Sequence, residues 1–115
     1  MRRAAVAIGW TLVATIVWLS LTPSPPSIDL GIAQADKIEH AGFYAATMFC
    51  FAQLYLRTRV RAAYAIGLVA LGITIEFIQP HFGRDYEVAD MAADALGVAL
   101  GWAAALALPI RIFRP

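Results

Sequence analysis

Three groups of polar residues recur at helical spacing in a chain otherwise dominated by apolar side chains: Asp36, Lys37, His40 and Tyr44; Glu76 and Gln79; and Asp90 with Asp94. Arg84 lies between the last two groups. Residues four apart share a helix face, so His40 and Tyr44 project together below Asp36, and Asp90 and Asp94 form one stripe. This inventory suits acid-base chemistry. His40 is the natural general base or acid, with Glu76 or Asp94 orienting it and Tyr44 beside it, while Lys37 and Arg84 hold a phosphate group. Asp36, Gln79 and Asp90 supply further polar contacts to a substrate. The same residues suit a divalent cation held by His40, Glu76, Asp90 and Asp94, since imidazole with carboxylates fits zinc or manganese and oxygen-rich sets fit magnesium or calcium. No HExxH-type element fixes a metal geometry. Plainer roles compete at several positions. Asp36 with Glu39 reads as a capping box, Asp90 as an N-cap, Tyr44 as an interfacial anchor and Glu76 as half of a structural ion pair.

The elements that must position these groups are four apolar runs, at 4–22, 38–56, 62–79 and 91–110, each near the roughly 20 residues that cross a hydrocarbon core. A chain 61% hydrophobic and 15% charged has too few polar residues to coat a soluble domain of this size. The expected fold is therefore all-α, an integral membrane four-helix bundle with short loops, forming one domain over 1–115. Charge distribution sets its orientation. Arg2, Arg3, Arg57, Arg59, Arg61, Arg111 and Arg114 fall at one side of the runs, whereas Lys37 and Arg84 alone join all eight carboxylates at the other. The positive-inside rule then predicts an N-in, C-in multi-pass membrane protein, with the polar groups facing outward. The arginines read as anchors to anionic lipid rather than as a nucleic-acid footprint, because the net charge is only +1. The first run is expected to be a retained helix, longer than the apolar core of a signal peptide and ended by the Pro/Ser stretch after Thr22. Cys50, the single cysteine, excludes an internal disulfide and a thiolate cluster, and reads as a lipid-facing or packing residue.

Asp90, Asp94, Gly97 and Gly101 continue along one helical stripe, and the GxxxG element places that stripe toward a neighbouring helix. An acid one turn inside an apolar run, such as Glu76 or Asp94, costs roughly 2.5 to 3.5 kcal/mol unless paired or wetted, which marks both as site candidates.

Together, Asp36-Lys37-x-x-His40-x-x-x-Tyr44, Glu76-x-x-Gln79, Arg84 and Asp90-x-x-x-Asp94-x-x-Gly97-x-x-x-Gly101 resemble the signature of the VanZ-like family of small bacterial membrane proteins. The resemblance covers all but the first run. Family members often carry Asn where this chain has Asp94, so the cluster here holds an added negative charge. The resemblance implies a link to tolerance of teicoplanin-type glycopeptide antibiotics, which target lipid-linked cell-wall precursors. Three function classes follow: a site acting on a lipid-linked envelope component, a binding or accessory membrane protein without turnover, and a small four-helix transporter. The last is disfavoured because the first run carries no acid or base and the arginine asymmetry opposes dual insertion.

Overall fold

The computed structural model describes residues 2–22, 35–82 and 88–110. Four long helices account for nearly all of them: α1 (Arg2–Leu21), α2 (Ala35–Leu54), α3 (Thr58–Ile78) and α4 (Val88–Ala107), with a short 3-10 turn (Gln79–Phe82) closing α3. The fold is all-α, as the apolar runs predict. Each helix begins two to four residues before its apolar run and stops one to three residues short of the run's end. An apolar run marks where hydrocarbon would be tolerated, while a helix extends as far as its backbone hydrogen bonds continue. Pro80, which has no amide proton to donate, falls inside the 3-10 turn and ends α3 where expected.

α2 is the central element. It packs against each of the other helices and most closely against α4, while α1 touches α2 and α3. Tyr44, Met48, Ala52 and Leu54 of α2 are almost fully enclosed, together with Ile16, Leu68, Ile75, Val98 and Ala105 from the surrounding helices. Large apolar side chains of the outer helices, among them Ile8, Trp18, Ile66, Phe77, Leu100 and Leu106, point outward. This inverts the soluble pattern.

Three of the helices are long and apolar enough to cross a membrane: α1, α3 with its 3-10 turn, and α4. The second run, expected to span like the others, is not among them. Its position explains the difference. A helix packed against three others can carry Lys37, Glu39, His40 and Gln53 where neighbouring helices cover part of its surface.

The α2–α4 contact rests on small residues. A Cβ built on Gly97 would collide with the Ala41 carbonyl oxygen and lie 2.9 Å from its Cα, and one on Gly101 would collide with Ala45 in the same way. The GxxxG stripe therefore faces α2, and its absent side chains let the two backbones touch.

At the opposite end from the polar cluster, arginines cap α2. Arg61 donates from Nε to the Ala52 and Tyr55 carbonyls at 3.0 and 2.9 Å and from Nη2 to Ala52 at 2.6 Å. Arg2 donates to the Leu54 carbonyl at 2.7 Å and lies over the Tyr55 ring. The sequence reading of Arg61 as a lipid anchor is thus corrected: it is buried and satisfies carbonyls that the helix end leaves open. Gln53 closes the same end, donating to Leu108 O and accepting from Ile110 N–H, both at 2.8 Å. Cys50 is a packing residue, buried with Sγ 3.3 Å from Ala5 O, and not lipid-facing.

Candidate functional site

The first turns of α2 and α4 lie side by side because the glycine stripe of α4 holds the helices in contact one and two turns further along. That close approach brings four ionisable side chains together. His40 Nδ1 is 2.9 Å from Asp94 Oδ1, and His40 Nε2 is 4.0 Å from Asp90 Oδ2. Lys37 Nζ is 3.2 Å from Asp90 Oδ1. Asp90 and Asp94 are both buried, whereas Lys37 and His40 keep about a fifth of their side chains accessible, so the cluster is entered from the α2 side.

Each contact has a chemical meaning. A neutral imidazole that donates Nδ1–H to Asp94 carries its lone pair on Nε2, so Asp94 sets the tautomer and leaves Nε2 as the base. This is the orienting arrangement that carboxylates provide for general-base histidines. The Lys37–Asp90 ion pair lacks hydrogen-bond alignment, and Asp90 Oδ1 has no hydrogen-bond partner among the described residues. Lys37 is therefore committed to a carboxylate rather than standing open for a phosphate alone.

Glu76 is 1% exposed and faces the bundle interior. Tyr44 is itself buried in the core beneath the cluster, which corrects its reading as an interfacial anchor. Gln79 is also buried, but its Nε2 donates to Ser20 O at 3.0 Å and ties the 3-10 turn to the end of α1. Its Oε1 is enclosed without a hydrogen-bond partner among the described residues.

The capping expectations shift by position. α2 begins at Ala35 and α4 at Val88, which places Asp36 and Asp90 inside the first turns rather than at the N-caps. An acid there still faces the positive end of the helix dipole. Arg84, with Asp85, Tyr86 and Glu87, lies outside the described residues, so its expected place at the cluster has no structural account. Among the described residues, which include the candidate ligands His40, Glu76, Asp90 and Asp94, no three His, Cys, Asp or Glu side chains are gathered so as to hold a metal ion.

One residue of the site escaped the sequence reading. A Cβ on Gly72 would lie 2.6 Å from Asp94 Oδ2, so the bare backbone of α3 makes room for the carboxylate that holds His40. Its signal is the spacing: Gly72 is four residues before Glu76, on the same face one turn deeper.

Fold and composition together define an all-α, four-helix protein whose three candidate membrane-spanning helices mark a multi-pass membrane protein. Comparison with family models, with curated proteins and with solved structures found no match for the chain.

Proposed function

We propose that this chain is a VanZ-like integral membrane protein of the bacterial inner membrane, N-in and C-in, whose outward-facing cluster acts on or binds a lipid-linked envelope component. The observation that carries the proposal is the His40–Asp94 contact between α2 and α4, with Lys37 and Asp90 beside it. It would leave a base, His40 Nε2, on a partly accessible side chain beside Asp90, and a cation within the same cluster. In the catalytic form of the reading, Nε2 takes or returns a proton at the substrate's head group, Asp94 holds the ring, Glu76 adds negative charge behind it, and Lys37 moves from Asp90 to the substrate's phosphate. Tolerance of teicoplanin-type antibiotics would follow from altering or masking the lipid-linked precursor.

A second reading is favoured by the Lys37–Asp90 pair, which already neutralises the cation. In that reading the cluster recognises an envelope lipid or partner without turnover, and His40 has no proton to transfer.

The test is expression of the wild-type chain and of His40→Ala in a teicoplanin-susceptible bacterium, with membrane flotation to check insertion. Raised tolerance that His40→Ala abolishes at equal insertion is the expected result. Wild-type protein that inserts but confers no change in tolerance sinks the envelope role. Incubating the purified protein with a polyprenyl-phosphate-linked precursor, with product analysis, then separates turnover from binding.

A further inference from the structure

A groove of about 450 Å³ opens between α1 and α3, and none of the His40 cluster lines it. Trp10 and Val13 form one wall, Ala63, Tyr64 and Gly67 the other, and Phe51 of α2 its floor. We infer that this groove holds one alkyl chain of an anionic phospholipid whose phosphate rests between Arg3 and Arg59. The inference depends on the membrane-embedded reading above and is independent of any chemistry at His40.

Three observations support it. The groove is open at Gly67, where a Cβ would meet nothing within 4 Å, although α1 and α3 are neighbours. In hydrocarbon surroundings an apolar gap of this size is filled by lipid, and its volume falls in the range typical of ligand pockets, roughly 300–1,000 Å³. The groove also reaches inward as far as Phe51, which is itself buried.

The second observation is continuity with charge. Trp10 meets Phe51 edge-on at 5.4 Å, Phe51 stacks on Tyr64 at 4.3 Å, and Tyr64 stacks on Tyr55 at 5.1 Å. Arg2 lies 5.4 Å over the Tyr55 ring, so the aromatic floor runs from the groove to the arginine-bearing end without a break. The third is register. Arg3, Val6, Trp10 and Val13 follow one face of α1, while Arg59, Ala63 and Gly67 recur at steps of four along α3. Arg3 and Arg59 are exposed at the ends of the two stripes that wall the groove. Both helices also begin at this end, so their positive dipole ends border the same space. A phosphate there meets two guanidinium groups, while the chain below it meets only apolar walls.

The experiment uses the full chain with Trp18→Phe and Trp102→Phe, leaving Trp10 as the sole tryptophan, reconstituted into phosphatidylcholine vesicles. Brominated-chain phosphatidylglycerol or brominated-chain phosphatidylcholine is added as a minor component, and quenching of Trp10 fluorescence is followed. Two arginines at a membrane surface predict a preference on the order of tenfold for the anionic lipid. Gly67→Leu, which fills an open space and should fold, is expected to abolish the preference, and Arg3→Gln with Arg59→Gln to reduce it to the zwitterionic level. Equal quenching by the two lipids, or a preference that survives Gly67→Leu, overturns the groove as a lipid site. Trp10 shielded from both lipids in a cross-linkable dimer overturns it in favour of a second copy of the chain. Flotation with the vesicles is scored in the same samples: protein that floats but shows no preference refutes the groove alone, and protein that does not float refutes the membrane reading on which it rests.

Discussion

Asp94 lies where capping no longer explains an acid, and its Oδ1 receives the His40 ring. Asp94→Asn keeps a carbonyl oxygen able to accept Nδ1–H, so the helix contact and the tautomer should survive while the charge that would stabilise an imidazolium is lost. The expected outcome is wild-type insertion and thermal stability with a partial loss of the proposed tolerance phenotype. Severe loss is expected for Glu76→Gln and His40→Ala. If purified His40→Ala and Glu76→Gln keep both stability and activity, the proton-transfer form of the proposal fails and the binding form stands. Gly72 gives an independent handle on the same pair. In Gly72→Ala the new methyl group falls 2.6 Å from Asp94 Oδ2, so the carboxylate must shift and its hold on His40 must loosen. Stability should fall by about 1–3 kcal/mol, as overpacking usually costs, and the phenotype should fall with it even though no ionisable group has changed. A silent Gly72→Ala, by thermal unfolding and by tolerance, would show that Asp94 has freedom to move that its packing does not suggest.

At the scale of the element, the bundle depends on α2 being held at both ends, by glycines of α4 at one and by arginines at the other. Gly97 and Gly101 press its N-terminal half against α4, and replacing Gly101 by Leu would drive a side chain into the Ala45 backbone. A backbone cannot rotate aside as a side chain does, so Gly101→Leu is expected to cost at least the roughly 1–3 kcal/mol typical of overpacking and to separate His40 from Asp94. Gly42, by contrast, has open space around it, and Gly42→Ala should leave the melting temperature unchanged or higher. At the other end, Arg61→Ala removes donors from the Ala52 and Tyr55 carbonyls. Loss of these charge-assisted bonds is expected to destabilise by about 1–3 kcal/mol. Arg59→Ala, which removes an exposed neighbour of the same charge, is the control that should change little. Equal melting temperatures for the Arg61 and Arg59 variants in detergent would mean that α2 is not capped this way.

Over the whole molecule, the helices and the glycine-facing stripe were legible because periodicity and residue size survive without tertiary context. The GxxxG phase with Asp94 pointed to the α4 face that meets α2, and the spacing of Lys37, His40, Asp90 and Asp94 put them in the first two turns of helices that the fold brings together. What was not legible depended on neighbours distant in sequence. Arg61 looks identical to Arg59 in composition, yet one is buried as a cap and the other exposed, a difference set by where the α2 carbonyls end. Likewise α2 resembles a spanning run in length, but its polar residues make sense only beside the helices packed against it. The arginine asymmetry remains the one feature that bears on orientation. It predicts that Ile32→Cys and Tyr86→Cys, made separately in a Cys50→Ala background, react with an impermeant thiol reagent in intact cells, whereas Thr58→Cys, exposed at the start of α3, stays protected until the membrane is permeabilised. Removing Cys50 sacrifices only a buried thiol near Ala5 O, so the background should fold. The His40 cluster lies at the ends of α2 and α4 nearest positions 32 and 86, and the buried Arg61 cap lies beside Thr58. Labelling at Thr58 with protection at 32 and 86 would turn the cluster toward the cytoplasm, where a site for an outward-facing envelope precursor has no substrate.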